Sequence, residues 1–291
     1  MTIRKTISIF SLLTTSILKT YGQDNTEKIT KPIVKEGKKL YRSEMASWYG
    51  TDLFLEKFTD RSKVGGYFSY TDSNISKCIF FAKSEIPKVI GTISFDSTYN
   101  VKTATIDLSE RELTKNEKDI FEIRQTALAI VQKDTLFKTY KNTNLNFIPL
   151  ISNGDKKVYI LTGPEQNGVV ILGNDYLLNF DDNNKLIGKK RLHKNIITMN
   201  YGSKELEGKE VVGTVHTHLP ETGEFITPTD ICTLMLYEKF ANWKQHTIVS
   251  EHYLSMWNCK TDELVTITRE VWDKINKDQE KRHKKDTRKS E

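Results

Sequence analysis

From Trp48 onward the chain is cut into short strand-like runs by Gly, Asn and Asp, and this punctuation constrains its fold more than any other feature. GYFSYTD, KCIFFAKSE, KVIGTISFDS and VKTATIDLS come first; NLNFIPLI, KKVYILTG, NGVVILG, DYLLNF and KLIGKKRLH follow. KEVVGTVHTH, HTIVS, HYLSMWN and ELVTITR complete the series. Runs this short, alternating or apolar and bounded by turn residues, predict antiparallel strands. Two stretches break the pattern with a helical period. In LTKNEKDIFEIRQTALAIVQKD, Ile120, Ile123, Ala127, Ile130 and Val131 fall on one face, and Thr114 with Glu117 forms a capping box. A second helix is predicted from Pro228 to about Trp243. The fold class is therefore α+β, a mixed or antiparallel sheet flanked by helices.

The two ends of the chain differ from this middle. A basic start (Arg4, Lys5), an apolar stretch from Ile7 to Leu18 and small residues before Gln23 give residues 1–22 the layout of a secretory signal, with cleavage expected after Gly22. The apolar stretch runs about 12 residues against the roughly 20 that span a bilayer, and no later segment approaches that length. The expected mature chain is exported, to the periplasm or the external medium, without a membrane span. Residues 23–45 are polar, lysine-rich and without apolar periodicity, which reads as a linker leading to a β-rich segment over 46–109. Residues 269–291 read as a charged tail. The net charge of +6 comes from basic residues interleaved with acids, so no nucleic-acid groove is indicated. The three cysteines, Cys78, Cys232 and Cys259, form neither a disulfide framework nor a CxxC metal motif; a Cys232–Cys259 bridge and free buried thiols both fit their placement.

The chemistry concentrates in VVGTVHTHLPETGEFITPTDICTLMLY, residues 211–237. Residues i and i+2 of a strand share a face, so GTVHTH aims the imidazoles of His216 and His218 in one direction. Pro220 and Gly223 turn the chain back, and Thr227 with Pro228 starts a helix that carries Asp230 in its first turn. Two histidines and a carboxylate would leave a fourth zinc position open, as catalytic sites do. The same residues support a plainer reading: Thr227 and Asp230 form a capping box on the helix dipole, and the histidines are structural.

HTHLPETGEFITPTD resembles the signature of the JAMM (JAB/MPN-type) zinc metalloproteases: His-x-His, a short loop with an early proline, then Ser-x-x-Asp opening a helix. His216, His218 and Asp230 fall on the metal ligands and Thr227 on the serine. The family's upstream glutamate, in a Glu-x-x-Gly context before an apolar strand, is matched by Glu165 and Gly168 in GPEQNGVVILG. The resemblance covers residues 110–268. It departs from the family in the threonine and in a loop one residue longer than usual. It implies a bound Zn2+, a protein or peptide substrate, and hydrolysis of peptide or isopeptide bonds, with Glu165 as general base and Thr227 as oxyanion donor. The competing expectation is a non-catalytic exported binding module.

Of the other histidines, His193 lies near a strand end from which it could approach this site, although a structural role is the expected one. Asp175, Asp181 and Asp182 flank YLLNF and read as turn residues. The early aromatics Trp48, Tyr49, Tyr67, Phe68 and Tyr70 read as sheet core rather than as a sugar- or peptide-binding face.

Overall fold

The computed structural model describes residues 21–201 and 211–287. The expected signal segment lies outside the described residues except for Tyr21 and Gly22, which begin a helix. That helix, α1 (Tyr21–Lys57), is 37 residues long and takes in the whole segment expected to be a linker. The reason is in its buried positions. Thr26, Thr30, Gly37, Leu40, Glu44, Ser47 and Phe54 are buried and recur every three or four residues, interrupted twice. This is one face of a helix, but a face made largely of hydroxyls, a glycine and a carboxyl.

Alpha-1 is the shared wall of three sheets. Near its C-terminal end, Ala46 and Phe54 join the core of the first sheet, β1 (Val64–Asp72), β2 (Ile75–Ala82), β3 (Val89–Phe95) and β4 (Thr105–Asp107), antiparallel in that order. Phe54 stacks on Phe80 with ring centroids 3.8 Å apart. In its middle, Leu40 packs with Ile148, Tyr159 and Leu161 of the second sheet, formed by β5 (Thr143–Ser152) and β6 (Asp155–Pro164) with β8 (Tyr176–Phe180) and β9 (Leu186–Arg191), again antiparallel. Farther toward the N-terminus, Ile33 and Val34 meet the third core, built from Ile231, Leu234, Ile248 and Trp257.

The helix α2 (Lys115–Val131) closes the outer face of the second sheet through Ile123 and Ala127. Its predicted capping box is present, and Glu117 is also gripped by Arg111 at 2.7 Å and Tyr70 at 3.0 Å. The third sheet runs β11 (Gly213–Thr217), β12 (Gln245–Val249), β13 (Tyr253–Asn258) and β14 (Glu263–Thr268). Strands β11 and β12 are parallel, joined by a crossover that contains α3 (Pro228–Ala241). A two-stranded antiparallel ribbon pairs β7 (Val169–Gly173) with β10 (Ile196–Asn200), a strand whose residues IITMN lie outside the runs read from the sequence. The charged C-terminal segment is helical as α4 (Arg269–Thr287). No described helix is long and apolar enough to cross a membrane. All three cysteines are free and buried.

Candidate metal centre

The strand β11 ends at Thr217, and the crossover returns the chain so that the first turn of α3 sits beside that end. His216 and His218 are both buried and face the same way, as the two-residue spacing requires. Asp230 is 1% exposed. His218 Nε2 lies 3.2 Å from Asp230 Oδ2, and His216 Nε2 lies 3.7 Å from Asp230 Oδ1. The three residues expected to share a site are thus together.

The capping box is there as well. The Thr227 hydroxyl donates to Asp230 Oδ2 at 2.7 Å, the Thr227 N–H donates to the same oxygen at 2.9 Å, and the Asp230 N–H donates back to Thr227 Oγ1 at 3.1 Å. Cap and site are not alternatives. Oδ2 serves the helix start and leaves Oδ1, buried and without a hydrogen-bond partner among the described residues, turned toward the histidines. Thr227 is itself buried, and its hydroxyl is committed to Asp230.

A further histidine completes the group. His193 Nε2 lies 3.4 Å from His218 Nε2 and 3.6 Å from Asp230 Oδ1. His193, His218 and Asp230 are close enough to one another to hold a metal ion, and all three are buried. The histidine expected to be structural is therefore in the group. Asp175, read as a turn residue, is its support: buried, it meets His193 Nδ1 at 3.1 Å. By contrast Asp181 is a turn residue, accepting from the Asn183 and Lys185 N–H groups. The chain matches no known family model, no curated protein and no solved structure.

Two of the imidazoles have their far nitrogens fixed. His193 uses Asp175, and His216 Nδ1 meets His246 Nε2 at 2.7 Å, whose Nδ1 meets Thr214 Oγ1 at 2.6 Å. At His193 the carboxylate of Asp175 accepts from Nδ1–H and so leaves Nε2 as the nitrogen that can turn to an ion, whereas the roles within the His216–His246 pair depend on the tautomer. His218 Nδ1 has no partner among the described residues. Burial pushes the His216 pKa down to about 4, with Asp230 opposing, and pushes that of His246 down to about 3, helped by His216. Both imidazoles are neutral at neutral pH. Burial also opposes a charge on His193, but Asp230 and Asp175 outweigh it and raise its pKa to about 10. Asp230 is buried too, yet His193 and His218 hold its carboxyl well below the usual range.

Glu165 is not brought to this group. It lies before β7, whereas Asp175 follows the other end of that strand, and β7 alone is about 13 Å long. Its neighbours in an open cleft include Tyr237 and Phe240 of α3, about 10 to 15 Å along the helix from Asp230. His193, for which a structural role was expected, and Asp175, read as a turn residue, are joined by the β8–β9 hairpin, whose register pairs Tyr176 with Arg191 and so sets Asp175 opposite Leu192.

Proposed function

We propose that the protein binds zinc through His193, His216, His218 and Asp230. The observation that carries this reading is the pair of orphaned buried atoms, His216 Nε2 and Asp230 Oδ1, which face each other without partners among the described residues. Each such atom costs on the order of 1–3 kcal/mol if left unsatisfied, and a cation between them would satisfy both. The spacing fits. Zinc–ligand bonds of about 2.1 Å in a tetrahedron place donors about 3.4 Å apart, and the separations among His193, His218 and Asp230 run from 3.2 to 3.6 Å; His216 joins them through Asp230 Oδ1, 3.7 Å from its Nε2. Three imidazoles and one carboxylate suit zinc better than a hard oxygen-seeking cation. The basic and apolar start of the chain supports placing this centre outside the cytoplasm.

Four protein ligands close the coordination shell, which favours a centre that holds its ion over one that hydrolyses. One observation favours the hydrolase that the JAMM resemblance implies: the Asp175–His193 pair. With His193 off the ion, its Nε2 could hold a proton beside an open position. Zinc would supply Lewis acidity and an acidified water there, and peptide or isopeptide bonds would be the substrate. Glu165 is too far away to take that part.

His193 separates the two readings. The closed centre predicts that native protein takes up one zinc per chain and that His216→Ala and His193→Ala each weaken zinc binding by about tenfold or more. The hydrolase predicts that His193→Ala keeps the zinc and loses peptidase activity. Failure of the native protein to take up stoichiometric zinc ends both.

A further inference from the structure

We propose that the open cleft at the far end of α3 from the metal centre is a binding site for a neutral carbohydrate chain. The cleft has a volume of about 340 Å3, within the range of small-ligand sites. Its lining is of two kinds. Trp48 of α1, Tyr237 and Phe240 of α3, and Tyr201 just after β10 supply aromatic rings. Trp48 and Tyr237 stand edge to face, 5.6 Å between centroids, so each ring fixes the other's orientation. Phe240 is 63% exposed and belongs to none of the hydrophobic cores.

The same cleft is lined by side-chain amides, Asn144 and Asn146 from β5 and Gln166 and Asn167 from the turn before β7. None makes a side-chain hydrogen bond among the described residues, although each offers both donors and acceptors. Glu165, the one charged side chain among the described lining residues, has no cation paired with it there. Among the described lining residues, aliphatic side chains are limited to Pro164 and Val169.

Sugars present two faces of matching kind. The C–H face of a pyranose ring is apolar and stacks on an aromatic ring, while the hydroxyls around its edge each donate and accept. Amides satisfy both capacities, and an unpaired carboxylate accepts a strong hydrogen bond from a hydroxyl. The same carboxylate, with no lysine or arginine beside it among the described lining residues, repels uronates, sialylated and phosphorylated sugars. A peptide ligand would instead call for aliphatic sockets or a free strand edge. Unlike the metal centre, this site needs no ion, and the inference is independent of the zinc reading.

The test is calorimetry and tryptophan fluorescence on the full chain, titrated with maltotriose, cellotriose, laminaritriose and N,N′,N″-triacetylchitotriose. Trigalacturonate and trialanine serve as the charged and peptide comparisons. At least one neutral trisaccharide is expected to bind, and Phe240→Ala and Gln166→Ala, both at exposed positions, are expected to weaken it by about tenfold each. Trp48→Ala should abolish binding; because Trp48 also packs against the core, the two exposed variants carry the result if it misfolds. Zinc uptake by the exposed variants should match native protein. The proposal is overturned if no neutral trisaccharide binds at about 10 mM, if trigalacturonate or trialanine binds instead, or if binding survives both exposed variants unchanged.

Discussion

The two ends of α3 are built from opposite materials. At the N-terminal end, His193, His216, His218 and Asp230 are buried and packed against one another, and every polar atom is either paired or conspicuously unpaired. At the C-terminal end, Tyr237 and Phe240 look into an open cleft lined by amides that bond to nothing else among the described residues. The difference lies in what water does. An unpaired amide in a wet cleft bonds to solvent and costs nothing until a ligand displaces that solvent. An unpaired imidazole nitrogen or carboxylate oxygen in a dry interior costs stability at once. The first end should therefore govern folding and the second should not.

Removing Asp230 tests that contrast at full size. In chelator-treated protein, Asp230→Ala loses the helix cap and leaves His193 without its main counter-charge, and breaking a buried pair from one side costs about 3–5 kcal/mol. Gln166→Ala at the cleft should stay within about 0.5 kcal/mol of native. Urea unfolding of the two variants compares them directly. If Asp230→Ala unfolds at the native midpoint, the buried end is not coupled to folding.

How much of this could be read from the sequence depended on which residue types carried each pattern. His216, His218 and Asp230 were legible because strand spacing and a capping box fix their directions locally. Thr114 and Glu117 marked α2 for the same reason. Alpha-1 was illegible because its buried stripe of Thr26, Thr30, Gly37, Glu44 and Ser47 has the helical period without the apolar residues that normally display it. His193 and Asp175 meet only through the register of the β8–β9 hairpin, which no local pattern states. Glu165 matched the family context in sequence, but β7 carries it away from the histidines.

Acid and base should act on the buried end in opposite senses. The folded-state pKa values of His216 and His246, about 4 and about 3, lie below the unfolded value near 6.5. The unfolded chain therefore binds protons first, and stability falls as pH drops below about 6.5, by about 1.4 kcal/mol per pH unit for each imidazole. His193, raised to about 10, does the reverse: its contribution is complete below about pH 6.5 and is lost as pH rises toward about 10. Burial also raises Glu44 to about 7 and Glu238 to about 8, which adds a slope of its own. Differences between variants remove it. In zinc-free protein, His246→Gln should flatten the acid limb and His193→Gln the basic limb, while Gln166→Ala leaves both as in native protein. Urea midpoints at pH 4.5, 6.5 and 8.5 measure the limbs, and limbs that persist in the histidine variants would assign them to other groups.

The smallest effect compares two glycines, one behind each end of α3. A Cβ on Gly37 of α1 would lie 2.7 Å from Ile231 Cβ and 2.9 Å from the Pro228 carbonyl oxygen, both fixed parts of the first turn of α3. A Cβ on Gly163 at the cleft would meet Asn146 Nδ2 at 2.9 Å, the free end of a side chain that can swing away. Overpacking against fixed atoms costs about 1–3 kcal/mol, and alanine returns up to about 1 kcal/mol as the better helix former at position 37. Gly37→Ala should therefore destabilise by about 1 kcal/mol net, and Gly163→Ala by less than about 0.5 kcal/mol. The consequence for function follows the same geometry. To admit the methyl group, α1 must push back the turn that carries Asp230, so Gly37→Ala should weaken zinc binding as well, whereas Gly163→Ala should leave it alone. Equal zinc affinity in the two variants would mean that the first turn of α3 is held by β11 and β12 and not by its contact with α1.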